Sequence, residues 1–527
     1  MWSDQRSYWR GALQGTRSEL ADSFRIKGLS RNIAAGISTA LVALPLNIAL
    51  ALACELPASV GLWTGAIAGL LGALLGGTKL QITGPEVALA PLTLQIVLTH
   101  GYEGLLWCTV MAGLFQIVLG VARIGRLIQA VPAPVIAGFM AAVGLMVLDG
   151  QIPRLVGMPD DVRTLSSVVG SDAMTAVSIN AIRVGVFATL CVVFLPKLHP
   201  RIPAPLVAVV VPILAVTVFA IELPHVPDVA AALPPLGLPG VEVSTIFALI
   251  PSALALAMLA SLDSLLSAVS MDAKTHTRHR SDQELVAQGL ANIVCGFVGA
   301  MPVAGAIVRS AAALDAGADN RLAPIAQSVV LGLVLLLLGA HLDHIPLAAL
   351  AAILCVVGVK LIQPARFVEL YRHSRADLAI AIVTVTGILA LDFVLGVTAG
   401  VVAALARLGM SRANLGIHVE YDHDKNLASY RIDGPLVFAN VSRLASLLAV
   451  ENASMVVIDF TAVPELDFTA TEAIDRAIGR LCQRNVDVQI HTATPELAAQ
   501  LRAAAPDAKH APSRLLDGLP VPQTPFA

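Results

Sequence analysis

The chain has 527 residues, 56% of them hydrophobic and 13% charged, with a formal net charge of −3. Mean hydropathy is +0.78, and soluble domains carry roughly 25% charged residues, so composition excludes an ordinary soluble protein and describes a polytopic membrane one. The balance of charge also excludes a duplex-binding face, which needs clustered positive residues, and no nucleic-acid partner is expected.

Residues 1–31 are polar and basic (Arg6, Arg10, Arg17, Arg25, Lys27, Arg31) and lack the short apolar region and cleavage site of a signal peptide. This segment is expected on the cytoplasmic side. The first apolar run, Asn32 to Ala53, is interrupted by Pro45 and Asn47, and a second follows from Val60 to Gly76. In the third, residues 80–98, Thr83, Gly84 and Pro85 break the apolar sequence before a helix. Further spans are predicted near 103–121, 132–149, 178–196, 204–221, 245–271, 285–300, 322–340, 345–361, 376–391 and 394–408. With two broken segments counted, that makes about fourteen elements of roughly crossing length, a transmembrane domain over 32–410.

Loop charges support this division. Arg123 and Arg126, Lys197 and Arg201, Lys274 to Arg280, Arg321, Arg366 to Arg375 and Arg407 onward share the side of the N-terminus. The opposite loops hold almost no Lys or Arg, with Arg154 and Arg163 as exceptions. The asymmetry predicts an even number of crossings with both termini cytoplasmic; the membrane expected is a bacterial inner membrane. The six cysteines are scattered without metal spacing, and five lie in apolar runs as small core residues.

Past Arg412 the charge density rises. Tyr430 to Val437, Met455 to Phe460 and Asp487 to His491 read as strands and Glu472 to Cys482 as an amphipathic helix, giving a small cytoplasmic α/β domain over 411–515. The Pro-rich tail from Pro506, and residues 516–527 in particular, reads as disordered.

Chemistry concentrates in residues 301–317, MPVAGAIVRSAAALDAG. A charge at membrane depth is costly and marks a substrate pathway; Arg309 is such a charge. Pro302 and Gly305 predict a short helix beginning inside the membrane, with free NH groups that attract anions. Its counterpart is Thr83 to Pro91, and paired interrupted segments in two halves of a chain point to a transporter site. Facing N-termini would form an anion cradle from Glu86, Val87 and Ala88 on one side and Ala306, Ile307, Val308 and Arg309 on the other. The plainer alternative is two Pro/Gly kinks.

Asp263 is the second intramembrane charge, with Ser267 one turn along the same face. Together they can ligate Na⁺ or exchange H⁺; the alternative is a salt bridge, for instance to Arg309. Glu86 either couples H⁺ to anion binding, or caps its helix or pairs with a basic partner. Asn47 and Asn292 are neutral contacts, ligand or helix glue. Asp272 reads as an interfacial charge, and His276 and His279 as solvated loop histidines rather than a metal or pH-sensing pair. No catalytic constellation argues for an enzyme.

At these motifs the chain resembles the SulP family of sulfate-permease-like anion transporters. The stretches are ALPLNIALAL with LPASVGLW, TGPEVAL, VPAPVIAGFMAAV, SLDSLLSAVSMDAKTHTRHRSDQELVAQGLANIVCGF, PVAGAIVRS and HIPLAALAAIL. The resemblance implies a uracil-permease-like fold of seven plus seven inverted segments, divided into core and gate, with the anion between the third and tenth. It also implies a homodimer and an elevator-like cycle. RIDGPLVFANVSRL and VVIDFTAVPELDFTATEAI make the tail similar to a STAS domain, and Asp467, Phe468 and Thr469 sit where soluble relatives carry a phosphorylation motif. Here Thr469 reads as a helix cap.

The eighth segment and its loop look most like the cyanobacterial Na⁺-dependent bicarbonate transporters of the family. That likeness implies cation ligands at Asp263 and Ser267, with Gly305, Ala306 and Ile307 contributing. The chain departs from the subgroup at Ile307, where a threonine is lost, from many relatives at Asn47, which replaces glutamine, and at Glu86, which replaces small or aromatic residues. The expected function is secondary anion transport: bicarbonate with Na⁺ or H⁺, H⁺-coupled sulfate or a dicarboxylate such as fumarate, or a channel-like conductor. A membrane sensor signalling through the STAS-like domain is the reading from another class. Partners are the anion, membrane lipid and a second copy, with no cofactor beyond the coupling ion.

Overall fold

A computed structural model describes residues 2–24, 28–125, 131–159, 162–168, 177–199, 202–227, 237–275, 277–391, 393–410, 416–422, 426–437, 440–449, 453–463, 466–492 and 514–517. The chain forms two compact units, Met1–Gln129 with Val143–Ile362, and Ala130–Ala142 with Gln363–Ala527.

The first unit begins with α1 (Trp2–Ser23), a polar helix, followed by α2 (Leu29–Ala53) and α3 (Ala58–Leu75). Then comes the three-residue strand β1 (Ile82–Gly84), a 3₁₀ turn at Val87–Leu89 and α4 (Ala90–Val121). Gly101 at φ 70° and ψ −178° breaks α4, a backbone state that glycine adopts without a Cβ clash. The expected separation of 80–98 from 103–121 falls at that break. Helix α5 (Ala133–Leu155) belongs to the second unit up to Ala142 and to the first from Val143; α6 (Ile179–Leu198), α7 (Ala204–Phe219), α8 (Val243–Thr275) and α9 (Ser281–Phe297) follow. Strand β2 (Ala304–Ala306) leads into the nine-residue α10 (Ile307–Asp315), and α11 (Leu322–Leu338) and α12 (Leu347–Ile362) complete the unit.

In the second unit α13 (Pro364–His373), α14 (Arg375–Ala390) and α15 (Phe393–Met410) precede the small α/β domain. Helices α2 to α12, with α4 counted twice at Gly101, together with α14 and α15 make the fourteen helical segments expected. Among the described residues, seven helices are long and apolar enough to cross a membrane alone.

Arg321 explains how α1 is held. Its buried guanidinium donates to Glu19 Oε2 at 3.0 and 2.7 Å and to the carbonyls of Ala73 (3.0 Å) and Gly76 (2.9 Å). Those carbonyls end α3, where a helix leaves acceptors unpaired and favours a cation. Arg280 donates to Glu19 (3.2 Å) and Thr16 (2.9 Å). Burial pushes the Glu19 carboxyl up, but hydrogen bonds and charge from Arg321 and Arg280 hold it below its ordinary value.

The charge exceptions find partners nearby: Arg154 donates to the Leu52 carbonyl at 2.8 Å, and Arg163 lies 3.1 Å from Glu55. His279 corrects its solvated reading. Its Nδ1 sits 2.7 Å from Asp272, whose carboxylate also accepts the His279 backbone NH at 2.9 Å, so Asp272 binds the loop together. His276 lies outside the described residues.

The α/β domain is a five-stranded sheet ordered β3 (Gly416–Asp422), β4 (Leu427–Asp433), β5 (Met455–Ala462), β6 (Asp487–Thr492), β7 (Arg514–Asp517). The first pair is antiparallel and the others parallel. Tyr430, Ile458, Phe460, Val488 and Ile490 form its core with helices α16 (Val441–Ala449) and α17 (Phe468–Gln483). Sequence patterning missed β3, α16 and β7; the last places residues 514–517 in the sheet rather than in a disordered tail.

Thr469 is not the cap of α17. Asp467 caps it, accepting the Ala470 NH at 2.7 Å, and Thr469 Oγ1 accepts the Ala133 NH at 3.1 Å. Around it Arg366 stacks over the Phe468 ring at 4.4 Å and meets Glu472 at 2.7 Å, while the Asp377 carboxylate accepts from Arg407 and from the Phe468 NH.

Candidate functional site

Both interrupted segments begin in one two-stranded ladder. Strands β1 and β2 run antiparallel with Ile82 opposite Ala306, Thr83 opposite Gly305 and Gly84 opposite Ala304. The helical turns that follow each strand therefore start from a common point in opposite chain directions. Two three-residue strands cannot satisfy a buried backbone alone, and every unpaired polar group there is costly. Side chains supply the missing partners: Ser310 Oγ accepts the Ile82 NH at 2.9 Å and Ser264 Oγ accepts the Gly305 NH at 3.0 Å. Asn292 reads Val303 as a second strand would, accepting its NH at 2.9 Å and donating to its carbonyl at 3.1 Å. Asn292 is thus glue for β2. Thr83 Oγ1 takes a hydrogen bond from Gln288 at 2.8 Å, and Gln81 donates to the Ser264 carbonyl at 3.1 Å.

Arg309, in the first turn of α10, is completely buried. Its Nη1 donates to Asn47 Oδ1 at 2.9 Å, and its Nη2 donates to the Pro85 carbonyl and to Glu86 Oε2 at 3.2 Å. Three elements thus meet on one guanidinium: α2 through Asn47, the β1 segment through Pro85 and Glu86, and α10 itself. Gly84 makes this contact possible, since a Cβ there would lie 2.6 Å from Arg309 Nη1. Glu86 does not cap the following turn with its side chain; the pairing half of its reading is the one realised.

Asp263 and Ser267 are buried on α8, and neither Asp263 Oδ2 nor Ser267 Oγ has a protein partner. The salt bridge expected as an alternative is absent, because among the described residues Arg309 pairs with Glu86 instead. Gln81 Oε1 is a further buried, unpartnered oxygen, on a side chain that its amide nitrogen ties to Ser264, next to Asp263. Oxygen-only donors suit a hard monovalent cation or a proton. Among the described residues no cluster of His, Cys, Asp and Glu forms a larger metal site.

The other predicted residues divide. Val87, Ala88 and Ala306 are buried at the helix starts and Ile307 is half-buried, whereas Val308 is 50% exposed and lies off the buried cluster. Gln81, Ser264, Gln288 and Ser310 were missed; Gln81 and Ser310 lie in the broken segments, whereas Ser264 and Gln288 lie inside the continuous helices α8 and α9.

This arrangement has known counterparts. Residues 29–384 match the sulfate permease family and residues 418–509 the STAS domain. YvdB of Bacillus subtilis (strain 168), a protein named for sulfate transport, is 30% identical over 81% of this chain and 83% of its own length. The bicarbonate transporter BicA of Synechocystis sp. (strain PCC 6803) is 25% identical over 92% of each chain. The solved transmembrane domain of a cyanobacterial BicA superposes with a TM-score of 0.64 at 28% identity, covering 73% of this chain and 99% of that one. SLC26A9 superposes at 0.69 over 95% of this chain and 90% of its own, and at 18% identity shares the fold. With its helical membrane domain, its buried arginine between two interrupted segments and its C-terminal STAS domain, the chain belongs to the sulfate permease family of anion transporters.

Proposed function

We propose that this chain is a secondary active transporter that carries bicarbonate inward with Na⁺ or H⁺. The observation that carries the reading is the buried Arg309 guanidinium at two opposed helix starts, together with a buried Asp263 carboxylate on α8 whose Oδ2 has no protein partner. In this reading the anion contacts Arg309 and the chain around Asn47, Glu86, Val87, Ala88, Ala306 and Ile307. The coupling cation contacts Asp263 and Ser267, with backbone oxygens from Gly305, Ala306 and Ile307. The transport domain spans 32–410 and sits in the bacterial inner membrane as a homodimer with both termini cytoplasmic. It works by an elevator-like exchange of access.

A second reading is H⁺-coupled uptake of sulfate or a dicarboxylate, in which a proton taken up by Glu86 frees Arg309 from their pair. Uptake by purified protein in liposomes distinguishes the two. Labelled bicarbonate, sulfate and fumarate are offered under an imposed Na⁺ or H⁺ gradient. Bicarbonate accumulation that follows one gradient, and that Asp263→Asn uncouples while the variant stays folded, is the expected result. Wild-type cation dependence in Asp263→Asn rejects the coupling assignment, and no flux of any anion rejects transport by this route.

A further inference from the structure

The Arg309–Glu86 pair is asymmetric. Arg309 is fully buried, whereas the Glu86 side chain is 12% exposed, so an anion approaching the guanidinium meets the carboxylate first. Glu86 is also the more releasable partner. It sits in extended backbone, φ −123° and ψ 142°, between β1 and the first helical turn, and besides Arg309 its carboxylate takes one hydrogen bond, from the Val87 backbone. The guanidinium is independently fixed: Asn47 holds Nη1 at 2.9 Å and the Pro85 carbonyl holds Nη2. Both anchors are neutral, so withdrawal of Glu86 leaves Arg309 oriented and restores a full positive charge to the site.

We infer that Glu86 is a tethered competitor for the substrate site: its carboxylate holds the Arg309 Nη2 that a transported anion must take. This rests on the reading that Arg309 receives the substrate. What Glu86 presents at 3.2 Å is one oxygen of a planar, singly charged carboxylate, so the replacement that fits is another planar monoanion, bicarbonate or a monocarboxylate. Charge makes the same selection. Arg309 brings one positive charge, a monoanion in place of Glu86 matches it, and the displaced Glu86 carboxylate, tethered beside it, repels the second negative charge of a dianion such as sulfate. Glu86 thereby sets specificity as well as affinity.

The test compares initial uptake rates of labelled bicarbonate, formate, sulfate and fumarate at one fixed pH, in liposomes holding the full chain, Glu86→Gln or Arg309→Ala. Glu86→Gln is expected to lower the half-saturation concentration of the transported monoanion by about tenfold or more, the scale of one charge-assisted hydrogen bond no longer contested. It is also expected to make sulfate a competitor at concentrations the wild type ignores. An unchanged or raised half-saturation concentration with sulfate still excluded, while Arg309→Ala abolishes uptake, overturns the inference but leaves the Arg309 site standing. Wild-type uptake by Arg309→Ala, or no uptake of any anion, overturns both. Should Glu86→Gln insert poorly, Glu86→Ala gives the second measurement: formate should inhibit it more strongly than it inhibits the wild type, and equal inhibition rejects the competitor role.

Discussion

A guanidinium with no exposed surface needs a counter-charge. Arg309 has one in the Glu86 carboxylate, and two neutral oxygens share its terminal nitrogens, while its buried Nε has no protein partner. Removing it leaves the Glu86 carboxylate without its basic partner, and breaking one side of a buried pair costs about 3–5 kcal/mol. Arg309→Ala is therefore expected to lower the thermal unfolding midpoint in detergent, and adding Glu86→Gln should recover most of that loss while saturable anion uptake stays absent. A double variant no more stable than Arg309→Ala would show that the two side chains are not energetically coupled. Asn47 matters to this pair as an orienting group, since it fixes Nη1 without adding charge.

The two strands are the element that makes the site, and they impose a steric limit. Gly305 faces Gln81 so closely that a Cβ would fall 1.5 Å from Gln81 Nε2, whereas a Cβ at Gly332 in α11 meets nothing nearer than Ala66 Cβ at 3.6 Å. Gly305→Ala should destabilise by about 1–3 kcal/mol or more as Gln81 is forced from Ser264, and Gly332→Ala should be neutral or stabilising by up to about 1 kcal/mol. Thermal unfolding of the two variants checks this, and equal midpoints would contradict the close packing at β2. The charges of the site were legible in the sequence, because Glu86, Asp263 and Arg309 each interrupt apolar runs. The ladder was not. TGP and VAGA carry no alternating pattern, and their pairing depends on residues 82 and 306 meeting across most of the transport domain. Gln81 and Ser264 were invisible for the same reason: an amide or hydroxyl in an apolar run gains meaning only from the tertiary partner it meets. In the STAS domain the alternating β5 and β6 and the amphipathic α17 were readable, whereas β3, largely exposed, had no apolar face to announce it.

Across the molecule, charge networks also tie helices to distant parts of their own unit. Glu19 on α1 bridges Arg280 and Arg321, the latter fully buried. Because folding lowers the Glu19 carboxyl below its ordinary value, its contribution is present above the ordinary glutamate range and is lost as pH falls through the depressed value. Glu19→Gln should therefore be less stable than the wild type at neutral pH, with the difference shrinking on acidification; a difference that is constant with pH would remove Glu19 from the linkage. In the second unit, Phe468 packs with Ala133, Leu370 and Ala381 in one buried cluster. The STAS domain and the helices of that unit consequently share a core.

The Arg309–Glu86 pair closes a loop of 223 residues, and the bond from Arg309 to Asn47 closes one of 262. Chains are synthesised from the N-terminus, so Asn47, Pro85 and Glu86 are made long before the arginine that unites them. Most of the transport domain must enter the bilayer with a carboxylate still awaiting its counter-charge. Closure of this buried pair is thus a late event in biogenesis, and a ribosome that stops short of Arg309 releases a product in which neither bond has formed.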